Sequence, residues 1–129
     1  MERRRPSVVR VLIADDHHLF AEALEAILDA EEQLHVVGRA ADGREAVGLA
    51  GELRPDVVLL DISMPVMDGF QAAAEIAKLE RKPAVLMLTG SSSAQDIDRA
   101  RRVGASGYVT KDSIAARLVD AILDVAKAS

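Results

Sequence analysis

Three carboxylates, one hydroxyl and one ammonium group stand in this sequence where they could do chemistry together. Asp15 and Asp16 directly follow an apolar run, while Asp61, Thr89 and Lys111 each follow another. These runs have the length and the β-branched content of strands. Because the carboxyl ends of parallel strands lie along one edge of a sheet, we expect the five side chains to converge there.

The chemistry that such a set supports is phosphoryl transfer to a carboxylate. Clustered carboxylates repel each other, and Mg²⁺ relieves that repulsion because it prefers hard oxygen ligands and also binds phosphate oxygens. Asp61 would keep one oxygen free as a nucleophile toward phosphorus. The Lys111 ammonium and the Thr89 hydroxyl would then bind the phosphoryl oxygens.

Five short apolar runs alternate with five stretches of helical period, which predicts βα units and a mainly parallel sheet. The third run is apolar at every position, so we expect a central strand, whereas the more polar second run indicates an edge strand. The five runs are Val8–Ala14, Leu34–Gly38, Val57–Leu60, Ala84–Leu88 and Ser106–Thr110.

The first two helices are predicted from apolar spacing and from helix start and stop signals. The inward face of the first would hold Leu19, Phe20, Ala23, Leu24, Ile27 and Leu28. In the second, Asp42 and Glu45 form a capping-box-like start, and Pro55 ends the helix. Its inward residues would be Ala46, Val47, Ala50 and Leu53.

The last three helices follow the strands that carry Asp61, Thr89 and Lys111. One begins at Gly69 and is punctuated by Lys82 and Pro83, with Ala73, Ile76 and Ala77 inward. The next, from about Gln95 to Val103, is rich in charge, and we expect it to be the least firmly packed. The final helix is capped by Asp112 or Ser113 and carries Ile114, Leu118, Ile122 and Val125 on one face.

The composition is that of one compact domain without a redox or membrane role. The chain has 129 residues, half of them apolar, and its net charge of −5 opposes binding to phosphate backbones. It has no Cys, no signal peptide and no apolar run near the roughly 18 residues that span a membrane, so we expect a cytoplasmic protein. Residues 1–7 are predicted to be a disordered basic arm, and 8–129 one domain.

Four segments resemble, in order and spacing, the receiver domain of two-component response regulators. They are Ile13–His17, Asp61–Gly69, Leu88–Thr89 and Gly104–Lys111. The resemblance covers about residues 8–127. It implies an α/β fold, a doubly wound five-stranded parallel sheet of the flavodoxin-like (βα)5 type with strand order 2-1-3-4-5.

The resemblance also implies the role of each polar residue at the strand ends. Asp61 would accept a phosphoryl group from the phosphohistidine of a sensor histidine kinase. Asp16, Asp61 and the backbone carbonyl of Ser63 would bind Mg²⁺ directly, and Asp15 largely through water.

Two further residues are implied to transmit the signal. Lys111 would pair with the phosphoryl group, and Thr89 would move to hydrogen-bond it. Tyr108 would turn inward when the threonine moves, which is a population shift toward a different output face.

The segment Asp15–Leu24 is most similar to the NarL/FixJ subfamily, in which a LuxR-type helix-turn-helix domain follows the receiver. Asp112 after Lys111 fits that subfamily, although His18 stands where it often has Pro. The similarity implies transcription control through a DNA-binding domain beyond Ser129, with nucleic acid bound only there. It also implies kinase docking on the first helix, about residues 18–30, and a possible homodimer on phosphorylation.

Several alternatives stay open on the sequence alone. One is a stand-alone response regulator that acts by protein contact, and another is a receiver-like interaction domain that is never phosphorylated. A small Mg²⁺-dependent phosphohydrolase is disfavoured because Ser63 stands where a second Asp is expected. A flavodoxin-like cofactor binder would need a small-residue phosphate loop after the first strand. We do not interpret His17 and His18 as metal ligands, since adjacent side chains on a helix start point apart.

Overall fold

The chain forms a parallel sheet with helices on both faces, as seen in a computed structural model that describes residues 8–90 and 93–128. The predicted basic arm at 1–7 and Ser91 lie outside these residues. The strands are β1 (Val9–Ala14), β2 (Leu34–Ala40), β3 (Val57–Asp61), β4 (Ala84–Thr89) and β5 (Gly107–Thr110). The helices are α1 (His18–Asp29), α2 (Gly43–Leu53), α3 (Gly69–Ile76), α4 (Ala94–Arg102) and α5 (Ile114–Ala128), with a short 3₁₀ turn at Lys111–Ser113.

The strand order is β2-β1-β3-β4-β5, and every neighbouring pair is parallel, which confirms the predicted fold class. The fully apolar β3 lies in the middle with all its residues buried, and β2 lies at the edge, as predicted. The chain goes outward from β1 to β2 and then returns across β1 to β3. Because the order reverses there, a crevice opens between the carboxyl ends of β1 and β3.

Two apolar cores cover the two faces of the sheet. Val11 and Ile13 of β1 pack with α1 and α5, whereas Leu12 and Ala14 pack with α2, α3 and α4. Successive strand residues point to opposite faces, so a continuous apolar run serves both cores at once. A strand that is buried on both faces cannot shift along its own axis without exposing apolar side chains. The polar residue at its end is therefore held in position.

The predicted inward face of α1 was partly wrong, because it included the exposed Leu19, Ala23 and Ile27 and omitted the buried Ala21. Ala21, Leu24 and Leu28 are buried, whereas Leu19 is 78% and Ile27 38% exposed. The sheet covers one narrow stripe of the helix, spaced by three and four residues, and the apolar set in the sequence is wider than that stripe. A second apolar stripe of α1 therefore faces outward.

The start of α2 is a variant of the predicted capping box. The Asp42 carboxylate accepts a hydrogen bond from the Glu45 backbone N–H at 2.8 Å, as expected. The Glu45 carboxylate, however, accepts from the N–H of Ala41 at 2.7 Å rather than from the cap residue itself. Arg54 ends the helix in the left-handed conformation, with φ 52°, directly before Pro55.

The third helix is shorter than predicted, because α3 ends at Ile76 and not near Lys82 and Pro83. Two tight turns follow, in which the Lys78 and Leu79 N–H groups bond back three residues to Glu75 and Ile76. Beyond this point the sequence is mostly charged, so continued helix would bury little apolar surface.

The last two helices agree with prediction in their packing. The Ser93 side chain caps α4, whose single buried residue is Ala100, and this confirms the weak packing expected there. The predicted caps of α5 lie in the 3₁₀ turn, and the four predicted apolar positions, Ile114, Leu118, Ile122 and Val125, are buried. Among the described residues no helix combines the length and apolar character needed to cross a membrane.

Candidate functional site

The polar residues at the strand ends lie at one edge of the sheet, at the crevice between β1 and β3. Asp15 directly follows β1, Asp61 is the last residue of β3, and Thr89 is the last residue of β4. All three are only 3% exposed although they are polar. Lys111 follows β5 and completes the group. Buried polar groups are costly, so their collection at one place points to a functional site.

The Lys111 ammonium lies between two buried carboxylates. Its Nζ is 3.4 Å from Asp15 Oδ2 and 3.3 Å from Asp61 Oδ1. The same nitrogen stands 4.6 Å from the centre of the Phe20 ring, a cation–π distance that ties α1 to the site. One ammonium group thus contacts two carboxylates. Lys111, Asp15 and Asp61 together carry a net negative charge when both acids are ionised.

Asp61 is held in an environment that is unfavourable to its charge. Burial and the nearby Asp15 carboxylate raise its pKa, while Lys111 and the backbone N–H of Ser63 oppose that rise. Its second oxygen, Oδ2, is buried and has no hydrogen-bond partner among the described residues. An unpaired buried carboxylate oxygen is expensive unless a ligand completes it.

A close contact between backbones shapes the loop that follows Asp61. A Cβ added at Gly69 would lie 2.2 Å from the carbonyl oxygen of Asp61 and 2.7 Å from Cα of Ile62. Only glycine permits this approach. The Gly69 N–H also donates to the Ile62 carbonyl at 2.8 Å, and Asp68 caps α3 through a full capping box with Gln71. Asp68 and Gly69 therefore close the loop, and α3 begins at Gly69 as predicted.

Asp16 and the exposed Ser63 lie on the loops that follow β1 and β3, next to the buried Asp15 and Asp61. Ligand atoms of Asp15, Asp16, His17 and Asp61 all lie within 4.8 Å of one another, which is a suitable set for a divalent cation. His17 was set aside in the sequence interpretation. Its Nδ1 lies 3.2 Å from Asp15 Oδ1 and 3.3 Å from Asp16 Oδ1.

The two adjacent histidines do point apart, as the sequence argument assumed. His18 faces Glu22 and Arg39, at 3.9 Å and 3.5 Å, and so lies away from the carboxylates. One of two diverging side chains can still face the crevice, and the His17 ring does so. The signal that could have found His17 is its place directly after two carboxylates at a strand end.

The predicted switch residues lie in different environments. Thr89 is buried at the end of β4, and Tyr108 on β5 is 42% exposed. The Tyr108 ring is therefore not part of the apolar core in this structure. A cavity of about 680 Å³ lies against β5 and the start of α5, and its lining includes Gly90, Tyr108 and Arg117. The exposed ring has room to move.

Comparison with known proteins identifies the family. The family described as the response regulator receiver domain matches residues 11–123. The chain is 39% identical over 127 residues to the "Probable transcriptional regulatory protein NarL" of Mycobacterium tuberculosis, covering 98% of this chain and 59% of that protein. It is 38% identical over 120 residues to the transcriptional regulatory protein LiaR of Bacillus subtilis, covering 93% and 57%. The chain thus spans somewhat more than half the length of these relatives.

Solved structures give the same result. The receiver domain of NarL from Mycobacterium tuberculosis superposes with a TM-score of 0.91 at 40% identity, covering 96% of this chain and all of that one. A LuxR-family two-component response regulator from Aurantimonas superposes with a TM-score of 0.89 at 33% identity, covering 95% and 87%. The site at the carboxyl edge of the sheet is therefore that of a response regulator receiver domain similar to those of the NarL and LuxR type, and the chain belongs to this family.

Proposed function

We propose that this receiver accepts a phosphoryl group on Asp61 from the phosphohistidine of a sensor histidine kinase. The observation that carries the proposal is the state of that carboxylate. It is buried at the end of the central strand, its Oδ1 lies 3.3 Å from Lys111 Nζ, and its Oδ2 has no partner among the described residues. Phosphoryl transfer to a carboxylate needs a nucleophilic oxygen that is not engaged in a hydrogen bond. It also needs a nearby cation that stabilises the negative charge of the phosphoryl group.

The residues present fit Mg²⁺. The unpartnered Asp61 Oδ2 and the nearby Asp15 and Asp16 carboxylates are hard oxygen donors with an unneutralised negative charge. We expect Asp16, Asp61 and the backbone carbonyl of Ser63 to hold the ion directly, with Asp15 acting largely through water. When bound, Mg²⁺ neutralises negative charge on the phosphoryl oxygens and on the carboxylates.

The geometry supports the following steps for the residues of the chain itself. A carboxylate oxygen of Asp61 forms a bond to phosphorus while the bond from phosphorus to the donor histidine nitrogen breaks. Lys111 moves its ammonium group from the Asp15 carboxylate toward a phosphoryl oxygen, a short shift because it already bridges both acids. The Thr89 hydroxyl donates a hydrogen bond to another phosphoryl oxygen. The receiver in this way catalyses its own phosphorylation. In its own later dephosphorylation, water attacks phosphorus, the bond from phosphorus to the Asp61 oxygen breaks, and inorganic phosphate leaves.

Phosphorylation would act at a distance through β4 and β5. Thr89 pairs with Thr110 across these strands, and Met87 pairs with Tyr108. A displacement of Thr89 toward the phosphoryl group leaves space behind it, and the exposed Tyr108 ring is the nearest large side chain of β5 that can respond. The phosphoryl group thus favours one arrangement of the face formed by α4, β5 and α5.

The output proposed for the whole protein is transcription control. The relatives that match are named transcriptional regulatory proteins, and the chain covers 59% and 57% of two of them. The acidic net charge of −5 does not favour DNA binding by the receiver itself. DNA contact would therefore be made by a C-terminal domain outside this chain, with a homodimer formed on phosphorylation. A stand-alone regulator that acts by protein contact is the alternative.

The test is phosphorylation by a small phosphodonor. With acetyl phosphate and Mg²⁺, the intact mass of the chain should rise by one phosphoryl group, and EDTA should prevent the change. Asp61→Asn should stay unmodified, whereas the matched control Asp124→Asn, at an exposed position of α5, should be modified like the wild type. Equal labelling of Asp61→Asn and the wild type would refute the assignment.

A further inference from the structure

The imidazole of His17 faces the carboxylates at which Mg²⁺ is proposed to bind. Its Nδ1 lies 3.2 Å from Asp15 Oδ1 and 3.3 Å from Asp16 Oδ1. The side chain is 68% exposed, so a cation in solution can reach it. His17 precedes α1 as its N-cap residue but makes no capping hydrogen bond with its side chain. A hydrogen bond between Nδ1 and Asp15 Oδ1 at 3.2 Å holds the ring toward the carboxylates. A metal ion bound at Nδ1 would take the place of the proton in that bond.

The spacing of these atoms suits a shared metal ion. Ligand atoms bound to one cation at about 2.0–2.2 Å, the usual Zn–N and Zn–O length, stand roughly 2.8–3.1 Å apart in octahedral geometry and about 3.3–3.6 Å apart in tetrahedral geometry. The distances from Nδ1 to the two carboxylate oxygens, 3.2 Å and 3.3 Å, are close to the tetrahedral spacing. A second observation points to a ligand at the same place. Asp61 belongs to the same group of ligand residues, and its buried Oδ2 has no hydrogen-bond partner among the described residues.

The imidazole nitrogen of His17 binds some cations better than others. Imidazole nitrogen binds first-row transition-metal dications well, whereas Mg²⁺ prefers oxygen ligands and keeps its waters. A neutral ring with its proton on Nε2 presents a lone pair at Nδ1. The same carboxylates can therefore hold either ion, but only a transition metal gains from the ring.

We propose that His17 is a nitrogen ligand of this pocket and gives it a preference for a first-row transition-metal dication over Mg²⁺. The proposal rests on the metal pocket described above, but it does not require that Asp61 be phosphorylated. In the metal-bound protein Nδ1 of His17 and the Asp16 carboxylate bind one ion on the exposed side of the crevice. The buried Asp61 carboxylate closes the other side.

The direct test follows the imidazole ¹⁵N resonances during a Zn²⁺ titration. Binding should move the Nδ1 resonance of His17, while His18 and His35 serve as internal controls in the same spectrum. His18 contacts Glu22 and Arg39 instead of the carboxylates, and His35 is exposed on β2. An unmoved His17 Nδ1 at saturating Zn²⁺ would overturn the proposal, as would equal shifts of all three rings.

Two variants give an independent reading of metal preference. His17→Gln should lower Zn²⁺ affinity by about tenfold or more, since even outer contacts of metal ligands change affinity on that scale. The matched His18→Gln should stay within about twofold of the wild type for both ions. The ratio of Zn²⁺ to Mg²⁺ affinity should therefore fall only in His17→Gln. Equal Zn²⁺ affinity in His17→Gln and the wild type would contradict the role of the ring. Mg²⁺-dependent labelling of Asp61 tests the phosphoacceptor separately, so either idea can fail alone.

Discussion

Replacement of Gly69 by alanine is a stringent test of how the fold positions Asp61. Gly69 is the first residue of α3, and its missing side chain lets the helix start pack on the backbone of the acceptor residue. An alanine Cβ would lie 2.2 Å from the Asp61 carbonyl oxygen and 2.7 Å from Cα of Ile62. Both are backbone atoms, so no flexible side chain can move aside.

The change in unfolding free energy on Gly69→Ala is set by the cost of overpacking, and its sign is opposite to the change that helix propensity predicts. Alanine is favoured over glycine inside a helix by roughly 0.5–1 kcal/mol, so propensity alone predicts a more stable protein. Overpacking of a tight site costs about 1–3 kcal/mol, and a clash with backbone on this scale lies at the upper end. We expect Gly69→Ala to lose about 3 kcal/mol of unfolding free energy, which lowers the melting midpoint by about 10 °C in a domain of this size.

Gly48 provides the matched control. It lies inside α2, and a Cβ built there meets no atom within 4 Å. Gly48→Ala should therefore stabilise the protein by about 0.5–1 kcal/mol. Urea unfolding of both variants gives the two free energies, and acetyl phosphate labelling gives the phosphorylation rate, which should fall by about tenfold or more only in Gly69→Ala because Asp61 is displaced. The reasoning is refuted if Gly69→Ala is as stable as Gly48→Ala and reacts at the wild-type rate.

Three further predictions concern the charges and the switch. The pKa of Asp61 is raised in the folded protein, so its ionisation costs stability at neutral pH and costs nothing below the pKa of the unfolded chain. Asp61→Asn should thus have a higher urea midpoint of unfolding than the wild type at pH 7, and this difference should shrink toward pH 4. A difference that stays constant with pH would show that it does not come from the ionisation of Asp61. Lys111→Ala should bind Mg²⁺ but fail to transmit phosphorylation, and a wild-type response in a dimerisation assay would exclude that role. Thr89→Ala should be phosphorylated without a change in the NMR signals of Tyr108, whereas a wild-type change would remove the threonine from the switch.

The convergence of the site was predictable from the sequence because it depends on local pattern. Apolar β-branched runs define the strands, and a parallel arrangement brings the residues that follow them to one edge. Asp15, Asp61, Thr89 and Lys111 each follow such a run, so their meeting needed no knowledge of side-chain conformation. The burial of β3 on both faces followed from its continuous apolar sequence in the same way.

The details that the sequence could not provide depend on packing between elements. The buried stripe of α1 is set by how the helix lies on the sheet, and the eight apolar residues in its sequence allowed more than one stripe. The contact between Lys111 and the Phe20 ring joins residues far apart in the chain. The orientation of His17 depends on a rotamer, and the tight approach at Gly69 on the path of a loop. Propensity and periodicity describe none of these.

The central claim is that Asp61 is the residue to which phosphorus becomes bonded. Borohydride reduces the acyl phosphate of an aspartyl phosphate to the alcohol of homoserine, a stable mark that peptide mass spectrometry can locate. After treatment with acetyl phosphate and Mg²⁺, we predict homoserine at position 61, and no such mark when Mg²⁺ is withheld or in Asp61→Asn. Homoserine at Asp15 or Asp16 instead, or the same mark in the variant, would contradict the account.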